Sequence, residues 1–261
     1  QAIQMNISDD VLLAARKRLL QMHFESKVGH IGGNLSCLDA LMVLYHEVLR
    51  PQDRFILSKG HSAGALYTTL WSIGRLSDDM LKMFHKDGTL LAGHPPAAGI
   101  DDILFATGSL GHGLSLAAGT AKALQLKGQD GMVYCLTSDG EWQEGSTYEA
   151  MVFASHHRLS NLKILVDHNN LQGFGHTSDV ASMWPLADRL AGFQLDVQII
   201  DGHDPATIRA ALASRANTCQ LIVLQTQKGH GVSFMEDRME WHYLPINAEQ
   251  YAQALREIED R

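Results

Sequence analysis

The sequence predicts an α/β fold: a doubly wound, mainly parallel sheet with helices on both faces, forming a single domain over residues 1–261. Apolar runs of strand length, at residues 133–136 and 164–166, alternate with segments whose apolar residues recur at helical spacing. The segment at residues 143–157, between these two runs, is of the helical kind. A strand–helix–strand unit of this length places its two strands parallel and usually next to each other.

The first helix is predicted to begin after a cap formed by Ser8, and its apolar residues follow helical spacing: Val11, Ala15, Leu19 and Met22. The glycine-rich stretch at residues 29–33 is predicted to be a loop. Ser36 is predicted to open a second helix that ends near Val48.

A short strand is predicted at residues 55–57, and the stretch 58–61 then leads into a helix that ends near Ile73. Ser77 is predicted to start a short helix before a loop at residues 93–96. The glycine-rich stretch at residues 108–113 is predicted to open a further helix that runs to about Leu126.

The remaining elements continue the alternation of helices and strands. A helix is predicted near residues 184–191 and strands at residues 197–200 and 221–224. Asp204 caps a helix that has Pro205 in its first turn. Asn247, with glutamine three residues later, caps a helix at the carboxyl end of the chain.

Composition excludes several classes of partner. Hydrophobic residues make up 45% of the chain and charged residues 19%, and the net charge is −8 without a cluster of Lys or Arg, which argues against nucleic acids and anionic membranes. Asp39 interrupts the best candidate for a membrane span.

The three cysteines lie in apolar surroundings and are interpreted as buried, reduced thiols of a cytoplasmic protein: Cys37, Cys135 and Cys219. The start at Gln1 has no signal-peptide pattern and no initiator Met, so we expect a trimmed N-terminus.

Two polar residues follow the strands of the strand–helix–strand unit. Asp139 comes after the first strand and Asn169 after the second, so both are expected at the carboxyl ends of the sheet, where open α/β sheets bind ligands. A carboxylate and an amide oxygen, with a free carbonyl on the next loop, suit an octahedral Mg²⁺ that keeps positions for phosphate oxygens. The alternative is that Asp-Gly and Asn-Asn are merely turn and loop residues.

Histidines that directly follow glycine are a second unusual feature. Seven of the 14 histidines do so: His30, His61, His94, His112, His176, His203 and His230. Glycine permits close approach of a backbone to a ligand, and histidine donates or accepts hydrogen bonds near neutral pH. A zinc site is the rival explanation, although none of these pairs has the spacing of a zinc-binding helix. The simplest alternative is that each is an ordinary surface or core histidine.

The order of these motifs along nearly the whole chain resembles the N-terminal, diphosphate-binding half of transketolase. The residues that carry the resemblance are Gly29-His30-x-Gly32-Gly33, Ser58-Lys59-Gly60-His61, Gly93-His94-Pro95, Gly108-x-Leu110-Gly111-x-Gly113, Asp139-Gly140 with Asn169, Lys228-Gly-x-Gly231 and Trp241-His242. The enzymes that make deoxyxylulose phosphate share the cofactor motif, but their histidine series is less similar.

The resemblance implies a site for thiamine diphosphate and Mg²⁺. The metal ligands implied are Asp139, Asn169 and the Leu171 carbonyl. The cofactor-binding residues implied are Gly33, His61, Gly108, Leu110, Gly140, Glu141, Gln172, Lys228 and His242. The catalytic residues implied, which surround the reacting end of the sugar, are His30, His61, His94 and His242. Glu144 and Glu149 match glutamates that lie between paired active sites in the family.

The chain departs from the family pattern at four positions. Ser138 stands where glycine is usual, Ser109 where proline is frequent, and Pro96 and Tyr243 where glutamate and glycine are frequent. The metal ligands are unaffected by these differences. The pocket for the acceptor sugar is affected, so the resemblance does not specify the donor or the acceptor.

The resemblance further implies the N-terminal subunit of a split transketolase, which transfers a two-carbon ketol unit from a ketose phosphate to an aldose acceptor. A C-terminal partner subunit with a pyrimidine-binding domain would supply the activating carboxylate, in an assembly of two copies of each chain. The cap of the C-terminal helix favours a natural subunit over a cut fragment. Two alternatives stay open: a subunit of a 2-oxo acid decarboxylase or acyltransferase, and a non-catalytic regulatory subunit.

Overall fold

A parallel sheet of five strands forms the centre of the molecule, which a computed structural model describes over residues 6–260. The strands in chain order are β1 (Arg54–Leu57), β2 (Val133–Ser138), β3 (Leu162–His168), β4 (Leu171–Gln172), β5 (Gly175–His176), β6 (Asp196–Asp201) and β7 (Gln220–Gln225). The sheet has the order β1-β2-β3-β7-β6, and β4 and β5 form a separate antiparallel hairpin. The prediction about Gln1 lies outside the described residues.

Helices cover both faces of this sheet. They are α1 (Asp9–Ser26), α2 (Ile31–Val43), α3 (Ala63–Ser72), α4 (Asp78–Leu81), α5 (Gly113–Leu126), α6 (Gly145–His156), α7 (Thr177–Ala181), α8 (Leu186–Leu190), α9 (Pro205–Ala213) and α10 (Ala248–Glu259). Alternate residues of β2 enter two different cores: Tyr134 and Leu136 pack with α1, α2 and α3, whereas Val133 and Cys135 pack with α5 and α6. The predicted fold class is therefore confirmed.

The predicted strand–helix–strand unit is present, and its two strands pair in parallel as expected. Strands β2 and β3 are parallel neighbours, with Val133 opposite Leu162 and Ser138 opposite Asp167. The predicted caps at Ser8, Ser77 and Asp204 are also present. Asn247 forms a capping box with Gln250 at the start of α10, as predicted.

The helix predicted to open at Ser36 begins at Ile31 instead, so the predicted loop at residues 29–33 is mostly helical. His30 adopts a left-handed conformation, with φ of 66°, and α2 starts immediately after it. Gly32 is tolerated in the first turn because the helix packs tightly there: a Cβ on Gly32 would meet Lys228 Cγ at 3.0 Å. Tertiary packing overrides the low helix propensity of glycine. A short π-helix (Leu44–Val48) ends this segment where predicted.

Other differences are confined to the ends of elements and to short segments. The helix predicted from residue 108 begins at Gly113, and the helix predicted from residue 143 begins at Gly145. The hairpin β4–β5 and helix α7 were not predicted, because each is too short to show a periodic pattern.

The three cysteines are buried, as predicted. Cys37, Cys135 and Cys219 are buried free thiols, and burial raises the pKa of Cys219 to about 12. Within residues 6–260, no helix combines the length and the apolar character needed to cross a membrane.

Candidate active site

A cleft of about 440 Å³ opens where the loops after β1, β2, β3 and β7 meet. Most of the residues predicted for the metal, the cofactor and the sugar line it: Gly33, His61, His94, Gly108, Leu110, Asp139, Gly140, Asn169, Leu171, Gln172, Lys228 and His242. These residues come from positions 33 to 242 of the chain, and the parallel sheet brings them together because it points all of these strand ends in one direction.

Asp139 lies at the end of β2, where its side chain is only 3% exposed. Oδ1 accepts a hydrogen bond from Gly140 N at 2.8 Å, and Oδ2 accepts one from Asn170 N at 2.7 Å. Burial, together with the nearby carboxylate of Asp167, raises the pKa of Asp139 to about 7. Among residues 6–260, no cationic side chain forms an ion pair with Asp139. A cation at this carboxylate would therefore offset a buried negative charge.

Asn169 and Leu171 complete the predicted ligand set. Asn169 Oδ1 accepts a hydrogen bond from Leu171 N at 3.1 Å, and Asn169 Nδ2 donates to Ser36 Oγ at 3.2 Å. The amide nitrogen thus faces the protein, so that the amide oxygen is the group left to act as a ligand. Three oxygen donors at one edge of the sheet, one of them a carboxylate, fit Mg²⁺.

A buried ion pair lies beneath this edge, and it was not predicted from the sequence. Lys59 pairs with Asp167, and the two side chains are 1% and 0% exposed. Burial would raise the pKa of Asp167, but Lys59 and hydrogen bonds from Ser36 and Thr226 hold it below its ordinary value. Asn169 Nδ2 lies 3.5 Å from Asp167 Oδ2, so the pair also orients the amide of Asn169. The sequence did contain a signal for this pair, because Lys59 and Asp167 are charged residues at the ends of otherwise apolar strand segments.

Lys228 is a second buried lysine at the cleft. Its ammonium donates a hydrogen bond to the Leu171 carbonyl at 3.2 Å and lies 3.0 Å from His242 Nδ1. Burial, together with the positive charge of Lys59, lowers the pKa of Lys228 to about 8. Near neutral pH it remains a cation, suited to an anionic group in the cleft.

Three of the predicted histidines form a cluster at the cleft. The ring centroid of His30 lies 5.6 Å from that of His61 and 4.9 Å from that of His242, and His61 and His242 are 5.4 Å apart. His30 is not itself a lining residue, but its backbone N–H donates to the His242 carbonyl at 3.2 Å. The ring nitrogen Nδ1 of His30 is buried, and within residues 6–260 it has no hydrogen-bond partner.

Burial keeps these histidines neutral. Burial, together with the neighbouring basic groups of His94 and Lys228, lowers the pKa of His30 to about 4. Burial and Lys228 lower that of His242 to about 3, and burial and Lys59 hold that of His61 well below its ordinary value. Partial burial also lowers the pKa of His94. A neutral imidazole can both donate and accept a hydrogen bond, and a group that binds the hydroxyl groups of a sugar needs both abilities.

Glu141 lies beneath the cleft rather than along it. Its buried carboxylate accepts hydrogen bonds from Ser138 N at 2.8 Å, from Gly111 N at 3.1 Å and from the Ser58 hydroxyl. Burial raises its pKa. The side chain therefore holds three cleft loops together, and a contact between Glu141 and the cofactor would have to come from its backbone.

The two predicted interface glutamates differ in position. Glu144 lines the cleft, whereas Glu149 is exposed on α6. The predicted role of these two glutamates, to lie between paired active sites, remains a prediction because it requires a second copy of the site.

The other histidines that follow glycine lie outside the cleft. His203 is part of a partly buried network in which its Nδ1 lies 2.9 Å from Asp39 Oδ2, and its Nε2 accepts a hydrogen bond from Gln227 N. Arg16 also pairs with Asp39, at 2.5 Å. With Asp39 and His230, His203 offers three ligand atoms within 4.8 Å of one another. Because both ring nitrogens of His203 are already engaged and a guanidinium is present, this network favours a structural role over the zinc alternative.

Comparison with known proteins identifies the family. Residues 10–258 match the family model described as transketolase, thiamine diphosphate binding domain. The chain belongs to this transketolase family. The family inferred from the glycine and histidine motifs is therefore confirmed.

Relatives of similar length are named as subunits of transketolases. The chain is 39% identical to one subunit of the apulose-4-phosphate transketolase of Phocaeicola vulgatus, in an alignment that covers 94% of this chain and 92% of the relative. It is 35% identical to the 6-deoxy-6-sulfo-D-fructose transketolase subunit SqwG of a Clostridium species, over 94% of this chain and 93% of the relative.

Solved transketolases share the fold. The transketolase of Campylobacter jejuni superposes with a TM-score of 0.86 and 30% identity, over 98% of this chain. That of Leishmania mexicana superposes with a TM-score of 0.90 and 25% identity, also over 98% of this chain. The chain spans only 43% and 42% of the lengths of these two proteins.

Proposed function

We propose that this chain is the N-terminal subunit of a split transketolase that uses thiamine diphosphate and Mg²⁺ to transfer a two-carbon ketol unit from a ketose phosphate to an aldose acceptor. The observation that carries the proposal is the convergence of three kinds of group on one cleft. They are oxygen ligands for a metal at Asp139 and Asn169, a buried ammonium at Lys228, and neutral histidines such as His61.

Asp139, Asn169 and the Leu171 carbonyl would hold Mg²⁺. The buried carboxylate of Asp139 supports this assignment, because its negative charge lacks an ion-pair partner in residues 6–260. The hydrogen bonds from Asn169 Nδ2 to Ser36 and Asp167 would keep the amide oxygen directed at the ion. Groups of this kind, one step removed from the metal, commonly set the affinity of a metal site.

Lys228, Gly33, Gly108, Gly140 and Leu110 would line the cofactor, with Gln172. The ammonium of Lys228 would neutralise part of the charge of the diphosphate. Gly33 leaves space in the wall of the cleft, since a Cβ there would have no heavy-atom neighbour closer than 3.8 Å. The amide nitrogen of Gln172 is buried without a hydrogen-bond partner in the described residues, which leaves it available to a ligand.

His30, His61, His94 and His242 would contact the reacting end of the sugar. When bound, thiamine diphosphate supplies the electron sink that allows a carbon–carbon bond beside a carbonyl to break. The neutral imidazoles would donate hydrogen bonds to sugar oxygens as negative charge develops on them, and would take up and return the protons of hydroxyl groups. The low pKa values keep these imidazoles unprotonated, so that each ring can still accept a hydrogen bond from a sugar hydroxyl.

A C-terminal partner subunit would complete the site, with two copies of each chain in the assembly. This chain spans less than half of the solved transketolases, and its relatives of similar length are named as subunits. The partner would supply the carboxylate that activates the cofactor and the apolar pocket for its aminopyrimidine. Exposed apolar side chains at the cleft, Phe174 at 85% and Val180 at 42%, would be covered on assembly. We place this complex in the cytoplasm.

The names of the relatives support an anionic sugar substrate, since one specifies apulose-4-phosphate and another 6-deoxy-6-sulfo-D-fructose. We therefore propose a ketose phosphate as donor. Of the two lysines that line this cleft, Lys59 is paired with Asp167, and Lys228 is proposed to bind the diphosphate. The groups that bind the phosphate of the sugar would then belong to the partner subunit.

The test is to assay the chain, its partner and their complex separately, with ketose phosphates and with 2-oxo acids. We expect ketol transfer by the complex alone. We also expect Mg²⁺ and thiamine diphosphate to stabilise the complex by about 2.7 kcal/mol at a hundredfold excess over the dissociation constant. The isolated chain should gain little of that stability.

Each other outcome selects a different function. Turnover of 2-oxo acids without ketol transfer would identify a decarboxylase or acyltransferase subunit. Cofactor binding without turnover of either class would identify a regulatory subunit. Ketol transfer by the chain alone, in a homogeneous sample of verified mass, would contradict the requirement for a partner.

A further inference from the structure

Tyr67 is a buried tyrosine that does not line the cleft but reaches the loop that carries His94. It lies on α3, the helix that follows His61. Its hydroxyl donates its hydrogen to two carbonyl oxygens of that loop, at 2.9 Å from Ala92 O and 3.2 Å from His94 O. Burial raises the pKa of Tyr67, so the hydroxyl keeps the proton that it donates. The tyrosine therefore joins the helix after one sugar-facing histidine to the loop that carries another.

The loop at residues 92–98 has few other polar contacts. It contains neither helix nor strand, and Pro95 and Pro96 have no backbone N–H to donate. Within residues 6–260, the backbone of this loop makes hydrogen bonds only with the hydroxyl of Tyr67. A single side-chain hydroxyl is thus the polar anchor of the loop.

The imidazole of His94 lies against Gly108. A Cβ added to Gly108 would lie 2.7 Å from His94 Cδ2 and 3.1 Å from Cγ, so the ring fits there only because this residue is glycine. Gly108 is itself closely packed, since a Cβ added to Gly60 would lie 2.7 Å from Gly108 N. The ring therefore rests on a closely packed wall of the cleft, and it can do so only while its own backbone stays in place.

We propose that Tyr67 is a positioning residue for His94: its hydroxyl fixes the backbone of residues 92–94, so that the imidazole stays against Gly108 and faces the sugar. The inference rests on the proposed function, because Tyr67 would affect the reaction only through a histidine that the proposed function uses. Removing the hydroxyl frees the loop to shift. A small displacement of a group that transfers protons slows a reaction strongly, because catalysis depends on the orientation of that group.

The test removes the hydroxyl and keeps the ring. In the assembled complex, Tyr67→Phe should lower kcat with a ketose phosphate by about tenfold to a hundredfold, since a misplacement of about 1 Å can cost about a hundredfold. The affinity for thiamine diphosphate with Mg²⁺, measured by calorimetry, should stay at the wild-type value, because His94 is assigned to the sugar and not to the cofactor.

Thr69→Val is the matched control. It removes another buried hydroxyl of α3, whose hydrogen bond at 2.8 Å goes to the Ala65 carbonyl in the same helix and not to the loop at residues 92–98. This variant should keep the wild-type kcat. A loss of kcat as large as that of Tyr67→Phe would show that any disturbance of the helix slows the reaction, and it would refute the specific role of Tyr67.

A double-mutant cycle shows whether Tyr67 acts through His94. In the His94→Ala background, Tyr67→Phe should lower kcat little further, because no imidazole is left to misplace. Changes at residues that act through one contact are not additive. Crystal structures of the wild-type complex and of Tyr67→Phe give a readout that does not depend on turnover. The variant should show residues 92–94 displaced and the ring of His94 moved away from Gly108.

The outcomes distinguish failure of this inference from failure of the proposed function. If the wild-type complex transfers ketol units and Tyr67→Phe keeps the wild-type kcat, the role of Tyr67 is refuted and the proposed function stands. Additive losses of kcat from Tyr67→Phe and His94→Ala, or a parallel loss of cofactor affinity, would also refute it. If the wild-type complex turns over no ketose phosphate, the proposed function fails. The crystal structures then decide whether Tyr67 holds the loop, and a His94 ring still against Gly108 in Tyr67→Phe refutes that hold.

Discussion

Replacing Lys59 by methionine removes the positive member of the buried pair with Asp167 while keeping an unbranched side chain of similar length. Because both side chains are almost fully buried, the aspartate left behind would be an uncompensated charge inside the protein. Breaking such a pair by removing one partner costs about 3–5 kcal/mol. A typical domain has only about 5–15 kcal/mol of stability, so the loss would be readily measured.

The structure places the expected loss near the lower end of that range. Asp167 keeps hydrogen bonds from Ser36 Oγ, at 2.6 Å, and from the hydroxyl of Thr226, and these partly stabilise the carboxylate after the lysine has gone. We therefore expect Lys59→Met to lower the free energy of unfolding by about 3 kcal/mol. The double variant Lys59→Met with Asp167→Asn should recover part of the lost unfolding free energy, since it also removes the unpaired negative charge of Asp167.

Lys163 provides a matched control. It is equally buried, but its ammonium donates to the carbonyls at the end of α9, at 3.2 Å from Ala211 O and 2.5 Å from Leu212 O, and within residues 6–260 it forms no ion pair with a carboxylate. Lys163→Met should cost about 1.5 kcal/mol, the lower end of the net worth of hydrogen bonds made by a charged group. Urea unfolding of the wild type and both variants near neutral pH, without cofactor, gives the comparison.

If Lys59→Met costs no more than Lys163→Met, the unpaired charge of Asp167 is not what destabilises the variant, and the prediction is wrong. It is also refuted if Asp167→Asn worsens the Lys59→Met variant, because the damage would then not come from an unpaired charge. A functional consequence follows as well. Since Asp167 orients Asn169, Lys59→Met should weaken Mg²⁺-dependent binding of thiamine diphosphate along with stability.

The remaining predictions concern the metal, the sugar and the pH dependence of stability. Asp139→Ala should lower cofactor affinity of the complex by about tenfold or more, and unchanged binding in calorimetry would refute its role as a ligand. His242→Ala should preserve the fold but lower turnover by about 10²–10⁴-fold, as should His30→Ala and His94→Ala; near wild-type turnover in all three would refute the sugar-facing assignment. Burial lowers the pKa of Lys163 from 10.5 to about 8, so in this range the unfolded chain holds a proton that the folded chain has released. The stability of the wild type should therefore rise with pH relative to Lys163→Met, and a parallel pH dependence would refute the assignment.

Periodicity in the sequence was enough to predict the frame of the site. The apolar runs of β2 and β3 and the helix between them indicated parallel neighbours, and this alone brought Asp139 and Asn169 to one edge of the sheet. The caps at Ser8 and Asn247 were also predictable, because each depends on residues within one turn of helix. Such features are local, and each can be recognised without knowledge of the rest of the chain.

Contacts between distant segments were not predictable in the same way. The start of α2 at Ile31 depends on packing of its first turn against Lys228, and nothing near residue 31 indicates this. The placement of Glu141 beneath the cleft depends on donors at Ser58 and Gly111. In each case the partner lies far along the chain, and local propensity could not reveal it.

By itself, the sequence determined the fold class, the order of the longer helices and of the strands of the main sheet, and the family, because alternating apolar periods and the spacing of glycines and histidines are properties of short segments. Tertiary structure decided the electrostatics of the cleft. The pairing of Lys59 with Asp167, the low pKa of His242 and the hydrogen bonds from Tyr67 to the loop of His94 exist only when residues far apart in sequence are buried side by side. Burial and proximity create these effects, and both are properties of the folded chain.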